Sequence, residues 1–179
     1  METIKIKDKE FSIYLTAQQI KEAVAKVAER MNRDLEGKNP IFVCVLNGAF
    51  VFAADLYRLI TVPSQITFMR MKSYQGLQTT GTVKTIASLH ESMVDRTVVI
   101  VEDIIDTGYT MQRMVTQLRD LGAKEVYVST LLRKPNACKV PDLQVDYAAL
   151  EIPNDFIVGY GLDYDEEGRN LPDIYVIKE

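Results

Sequence analysis

The chain of 179 residues predicts an α/β fold, a mostly parallel, twisted sheet flanked by helices. Three observations carry that expectation. Apolar runs rich in β-branched residues, such as Val98-Val99-Ile100-Val101, are uninterrupted, as in strands buried on both faces of a parallel sheet. Segments of helical periodicity alternate with these runs. Acids, glycines and hydroxyl residues gather where the runs end, at the carboxyl edge where open α/β sheets bind ligands.

Each element has its own local reason. Thr16 with Gln19 forms a capping-box pattern, and Ile20, Val24, Val27, Met31 and Leu35 then make one apolar helix face that stops near Gly37. Ile41–Leu46 reads as a buried strand, 49–59 as a helix, 65–71 as a strand and 85–89 as a further one. The apolar stretch 41–54 is too short to span a membrane and is broken by Asn47-Gly48. After 98–101, a helix is marked by Met111, Met114, Val115 and Leu118, and a strand by 125–132. Shorter segments follow at 145–150, 156–159 and 174–177, separated by prolines and acidic turns, and are read as a small hood. The expected organisation is one domain over 1–179. Its core runs from about 16 to 135, and its hood combines about 136–179 with the amino-terminal residues.

Composition narrows the function. A chain that is 47% hydrophobic and 26% charged can bury a sizeable core, and no Gly, Ser or Pro linker divides it. Its net charge of −4 and pI near 5.2 give no general field for nucleic acid. The amino terminus lacks the apolar core and small-residue cleavage site of a signal peptide, so cytoplasmic residence, without a membrane partner, is the expectation. Cys44 and Cys138 show no metal-ligand spacing and read as plain thiols. His90 is the only histidine and receives no role, which makes a histidine-based nucleophile relay improbable.

The chemistry concentrates in Glu102-Asp103-Ile104-Ile105-Asp106-Thr107-Gly108-Tyr109-Thr110. Carboxylates at a strand's carboxyl end suit a hard cation or a polyol. The glycine and hydroxyls that open the next helix suit a phosphate, because a helix amino terminus presents free N–H groups. Glu102-Asp103 alone would read as an acidic turn with a helix cap. With Asp106-Thr107-Gly108 and Thr110 in register, the string resembles the phosphoribosyl pyrophosphate (PRPP) motif of the type I phosphoribosyltransferases. The resemblance implies that fold and a defined set of roles. Glu102 and Asp103 would meet the ribose hydroxyls directly or through magnesium waters, and Asp106 would be the acid/base group at purine N7. Ile104, Thr107, Gly108, Tyr109 and Thr110 would complete the binding loop around the 5′-phosphate.

A second string, Ile152-Pro153-Asn154-Asp155-Phe156-Ile157-Val158-Gly159-Tyr160-Gly161-Leu162-Asp163-Tyr164, followed by Arg169, Leu171 and Pro172, resembles the purine-binding end of the hypoxanthine-guanine phosphoribosyltransferases. Leu46-Asn47-Gly48, Ser73-Tyr74 and Leu131-Leu132-Arg133-Lys134 extend the likeness in order over most of the chain. It implies transfer of the phosphoribosyl group to N9 of hypoxanthine or guanine, with xanthine as a further candidate. The products would be IMP or GMP and pyrophosphate, Mg2+ the cofactor, an oxocarbenium-like transition state the route, and a homodimer or homotetramer the assembly. Asp163 would hold a second magnesium and Arg169 would contact pyrophosphate, giving Glu102, Asp103 and Asp163 as metal residues. Phe156 would stack on the purine, and the Ile157 carbonyl would face its Watson–Crick edge. Lys134, a donor only, suits a 6-oxo group and mismatches the amino group of adenine.

Two loops complete the reading. Residues 72–81 are polar, glycine-bearing and too long for a hairpin turn, so they read as a lid in which Ser73 and Tyr74 match the family's closing loop. At Asn47-Gly48 the chain departs from the family's frequent Lys or Arg before glycine. The implied role there is pyrophosphate binding through backbone amides, next to a cis peptide. A PRPP-binding transcription regulator would be expected to add a nucleic-acid-binding extension or a basic face, and the acidic charge argues against the latter. A receiver-type signalling domain would place its acidic pair after the first strand.

Overall fold

The computed structural model describes residues 3–70, 89 and 91–178. Its main sheet has five parallel strands: β3 (Ile41–Leu46), β4 (Gln65–Arg70), β5 (Thr97–Ile105), β6 (Glu125–Arg133) and β7 (Tyr147–Glu151), in the order β4-β3-β5-β6-β7. Side chains alternate along the central strands. Phe42, Cys44, Val99 and Val101 join one buried cluster, while Ile41, Val43, Val98 and Ile100 join a second. The uninterrupted apolar runs are thus spent on two cores, one on each face.

Helices α1 (Ala17–Asp34) and α2 (Phe50–Tyr57) cover the first face and α3 (Tyr109–Asp120) the second. The start of α1 is the expected capping box: the Thr16 side chain accepts from Gln19 N, and Gln19 Oε1 accepts from Thr16 N at 2.9 Å. Helix α2 is shorter than the 49–59 expected. Ala49 is its cap, and after Tyr57 the chain tightens into bonds from Leu59 N to Leu56 O and from Ile60 N to Tyr57 O.

A second, antiparallel sheet joins the two ends of the chain. Strands β1 (Thr3–Ile6) and β2 (Lys9–Leu15) form a hairpin, β9 (Ile174–Ile177) pairs with β2, and β8 (Ile157–Val158) pairs with β9. Ile6, Phe11, Val158 and Tyr175 give this sheet its own small core, while Ile157, Tyr160, Leu162 and Ile174 belong to the first core of the main sheet. The hood therefore sits on the main sheet through shared apolar burial.

The expected hood needs one correction. The segment expected at 145–150 is β7, an edge strand of the main sheet, because Tyr147 registers with Ser129 and Leu150 with Leu132 of β6. The strand expected at 156–159 shrinks to Ile157–Val158, since a positive φ at Gly159 turns the chain into a bridge with Leu162. Of the strand expected at 85–89, only Leu89 is described, and it belongs to no strand; His90 lies outside the described residues.

Candidate active site

Three parallel strands end side by side, and each delivers a piece of the site at its carboxyl end. β3 runs into Asn47-Gly48, β5 into Asp106-Thr107-Gly108, and β6 into Lys134. The Leu46–Asn47 peptide is cis. Gly48 lies directly against the next strand, because a Cβ built there would fall 1.5 Å from Asp103 Oδ2. Its other side is closed by the hood: a Cβ on Gly161, at φ 98°, would lie 2.2 Å from the Gly48 carbonyl oxygen. Any side chain at either position would push the loop out of this clasp.

Arg169 locks the hood side. Its Nη1 donates to the Gly161 carbonyl at 2.7 Å, and its Nη2 pairs with Asp163 Oδ1 at 2.7 Å. Asp163 Oδ2 also accepts from Glu166 N at 2.8 Å. The Arg169 charge reaches Asp103 as well, opposing the rise in that carboxyl's pKa. Asp103, Gly48, Gly161, Arg169 and Asp163 are thus brought together from three separate stretches of chain.

The β5 acids are buried beside one another. Burial, reinforced by the adjacent Asp103, holds the Glu102 carboxyl well above the usual carboxylate range. Burial also pushes Asp103 up, against hydrogen bonding with Glu102, the N–H of Ile104 and the positive charge of Arg169. Glu102 Oε1 accepts from Asp103 N at 3.0 Å and Asp103 Oδ1 from Ile104 N at 2.7 Å. The same acids act on Cys44 beneath them, whose thiol is pushed up to about 12, mainly by burial. Cys44 and Cys138 are both free thiols.

Beside the acids the chain forms a small cradle. A cavity of about 150 Å³ is lined by Glu102, Asp103, Asp106, Thr107, Gly108 and Thr110, with Ile104, Ile105 and Met111. Gly108 is the N-cap of α3 and no side chain caps that helix, so its first N–H groups remain donors. Asp106, Tyr109 and Thr110 are exposed, and Thr107 O accepts from Lys139 N at 2.9 Å. Wider hollows occur elsewhere, about 770 Å³ between α1, α2 and the hood and about 660 Å³ beside α3, but neither touches the β5 acids. Charge and free donors, rather than volume, single out the small cavity.

Lys134 is held next to Asp106 by its backbone N–H, which donates to Ile105 O at 2.9 Å. Its side chain is only 8% exposed, and no hydrogen bond or ion pair joins the ammonium to another described residue. Phe156 and Ile157 belong to the hood. The Phe156 ring contacts Phe11 and Tyr164 at centroid distances of 6.4 and 5.9 Å yet stays 46% exposed, and Ile157 is buried in β8. Ser73, Tyr74 and the expected lid lie outside the described residues.

Among the described residues no group of three or more potential metal-ligating side chains comes together. Mg2+ usually takes one or two carboxylates and completes its shell with water and substrate phosphate oxygens, so two adjacent buried carboxyls facing a phosphate cradle fit it. Asp163 fits less simply, because both of its oxygens are already engaged. Sequence reasoning missed three contributors. Gly161 holds the loop, the Tyr160 hydroxyl donates to Asp55 Oδ2 at 2.7 Å, and Arg70 Nη2 donates to the exposed Asn47 side-chain oxygen at 2.5 Å. The Gly-x-Gly spacing at 159–161 was the one local signal for any of them.

Comparison with known proteins agrees with this arrangement. Residues 11–165 match the family model of the phosphoribosyl transferase domain. A hypoxanthine-guanine phosphoribosyltransferase of Streptococcus thermophilus is 40% identical over 155 residues, 86% of each chain. Among solved structures, a Staphylococcus aureus hypoxanthine phosphoribosyltransferase superposes with a TM-score of 0.88 at 36% identity, covering 93% of this chain and 91% of that one. A Trypanosoma cruzi hypoxanthine phosphoribosyltransferase in complex with the product IMP superposes with a TM-score of 0.88 at 33% identity, covering 98% and 97%. A parallel sheet with its acids over a phosphate cradle and a hood closed on Gly48 is the type I phosphoribosyltransferase fold, and the chain belongs to the hypoxanthine-guanine phosphoribosyltransferase family.

Proposed function

We propose that this chain is a purine salvage enzyme that transfers the 5-phosphoribosyl group of PRPP to N9 of hypoxanthine or guanine, with xanthine as a further candidate. The products are IMP or GMP and pyrophosphate. The observation that carries the reading is the Asp103 carboxyl, closed between Gly48 and the Arg169 charge and adjoining the α3 cradle. Ribose hydroxyls, a 5′-phosphate and a pyrophosphate each find a chemically matched surface there. The IMP complex of the Trypanosoma cruzi relative supports an oxopurine nucleotide as product.

In this reading the residues divide the work. The α3 N–H groups, with Thr107, Gly108, Tyr109 and Thr110, hold the 5′-phosphate. Glu102 and Asp103 hold the ribose hydroxyls, with Ile104 at their side. The backbone of Asn47 and Gly48 receives pyrophosphate, and Arg169 supports it. As the bond from C1′ to the pyrophosphate oxygen breaks, positive charge develops on the sugar and N9 closes on C1′. The Asp106 carboxylate takes the purine proton at N7. Lys134 donates to the 6-oxo group, Phe156 stacks on the ring, and the Ile157 carbonyl meets its other edge. Glu102, Asp103 and Asp163 are the residues that would hold magnesium, which would supply charge neutralisation for the leaving pyrophosphate. Ser73 and Tyr74 are proposed to close over the loaded site and exclude water.

The direct experiment is an assay of pyrophosphate release with PRPP and hypoxanthine, guanine, xanthine, adenine or uracil. Hypoxanthine and guanine should support turnover, adenine and uracil should not, and a chelator should abolish the reaction. Turnover with adenine or uracil alone would overturn the base assignment, and PRPP binding without turnover would favour a regulator.

Asp106→Asn keeps the shape but removes the base, so kcat should fall by roughly 10²-fold while PRPP still binds. Near-normal kcat would remove Asp106 from the chemistry. Lys134→Ala should weaken oxopurine binding by about 1.5–3 kcal/mol, the worth of a hydrogen bond to a charged group, and PRPP binding much less. An equal loss for both substrates would mark a structural lysine.

Glu102 gives a pH signature. Its folded pKa lies above the unfolded value of about 4.3, so the charge costs stability as pH rises from there through the folded pKa, and the cost then levels off. Glu102→Gln, uncharged throughout, should therefore melt higher than the parent at pH ~8, a gain that fades near pH ~4. Thermal melts without metal or substrate at both pH values test this, and a variant less stable at high pH would show that the carboxylate is already compensated.

A further inference from the structure

We propose that Tyr160 and Asp55 are positioning residues that fix the distance between the pyrophosphate loop and the Asp163–Arg169 pair, so that their hydrogen bond governs PRPP and pyrophosphate rather than the purine. The inference rests on the functional reading above, which assigns the loop at Gly48 to pyrophosphate.

The geometry is a closed mechanical path. Asp55 lies on α2, the helix that begins at Phe50 immediately after the Asn47-Gly48 loop, and any shift of the helix moves that loop. The Tyr160 phenol donates to Asp55 Oδ2 at 2.7 Å across 105 residues of sequence. Tyr160 is 7% exposed and sits at φ 48°, a left-handed conformation that a bulky residue seldom adopts without surrounding contacts to hold it. Those contacts reach the other side of the site. Tyr160 N donates to Leu171 O at 2.9 Å and Gly161 N to Arg169 O at 3.0 Å, and the Arg169 side chain returns to Gly161 O. Arg169 then holds Asp163, while Gly161 abuts the Gly48 carbonyl.

The phenol is suited to this role. Burial, and then the bond to Asp55, push its pKa up, so it remains a donor at any working pH. A phenol donating to a carboxylate is among the stronger hydrogen bonds available to side chains. No other described interaction links the α2 side chains to the Gly161 turn by a hydrogen bond. Lys134, by contrast, directly follows β6 and is anchored to β5, outside this path. Loosening the path should therefore affect one substrate and spare the other.

The test compares Tyr160→Phe, Asp55→Ala and Asp55→Asn by steady-state kinetics, with pyrophosphate inhibition and thermal melts alongside. Tyr160→Phe and Asp55→Ala should raise KM for PRPP and the inhibition constant of pyrophosphate by roughly 5–50-fold, the span expected when a part-buried hydrogen bond to a charged group is broken. KM for hypoxanthine should change by less than about 3-fold. Asp55→Asn keeps an acceptor for the phenol and should restore PRPP KM to within about 3-fold of the parent. The proposal is overturned if both substrates weaken equally, or if the melting temperature falls while PRPP KM stays unchanged. It is also overturned if Asp55→Asn behaves like Asp55→Ala. Should the parent itself consume no PRPP, the functional reading has failed instead, and the two failures are separable.

Discussion

An oxygen of the Asp103 carboxyl occupies the place where a side chain at position 48 would begin. That single steric fact organises the site. It compels glycine at 48, brings the backbone of the β3 loop onto the acids of β5, and leaves the loop's carbonyl free to be covered by Gly161 from the hood. Two glycines 113 positions apart are thus required by one close approach, Gly48 for lack of a Cβ and Gly161 for that reason and for its φ of 98° as well.

The electrostatic consequence runs against stability. Glu102 and Asp103 are held adjacent and buried, with Arg169 the compensating charge that acts on Asp103. Burying neighbouring carboxyls costs stability unless hydrogen bonds or an opposite charge compensate them. A folded core that needs no help from the site makes this tolerable. The two apolar clusters on either face of the β3–β5–β6 sheet lie mostly away from it, meeting its cavity through Ile105 and Met111. The site can be strained electrostatically because the sheet beneath it is not.

The hood shows how function is grafted on that sheet. Its strands come from both ends of the chain and its small core is separate, but Ile157, Tyr160, Leu162 and Ile174 lie in the core of the main sheet. Apolar burial fixes the hood's attachment, and directional bonds from Arg169 and Tyr160 fix its aim. This division explains how Phe156 can remain half exposed beside Phe11 and Tyr164 while Asp163 is held firmly by two hydrogen-bonding partners.

The sequence by itself determined what depends on neighbours within a few positions. The unbroken apolar runs at 41–46 and 98–101 specify strands buried on both faces, the Thr16–Gln19 pair specifies the start of α1, and the acids, glycine and threonines at 102–110 specify a cradle where a strand meets a helix. The tertiary structure alone decided what depends on residues far apart in the chain. Whether 145–150 belonged to the hood or the sheet turned on its pairing with β6, and a short, mostly apolar segment carries no mark of which partner it will find. The amino-terminal hairpin likewise gained its meaning only by pairing with β9. The raised Glu102 carboxyl, the clasp of Gly48 by Gly161 and the Tyr160–Asp55 bond have no local signature, because each arises from burial or contact created when distant segments pack.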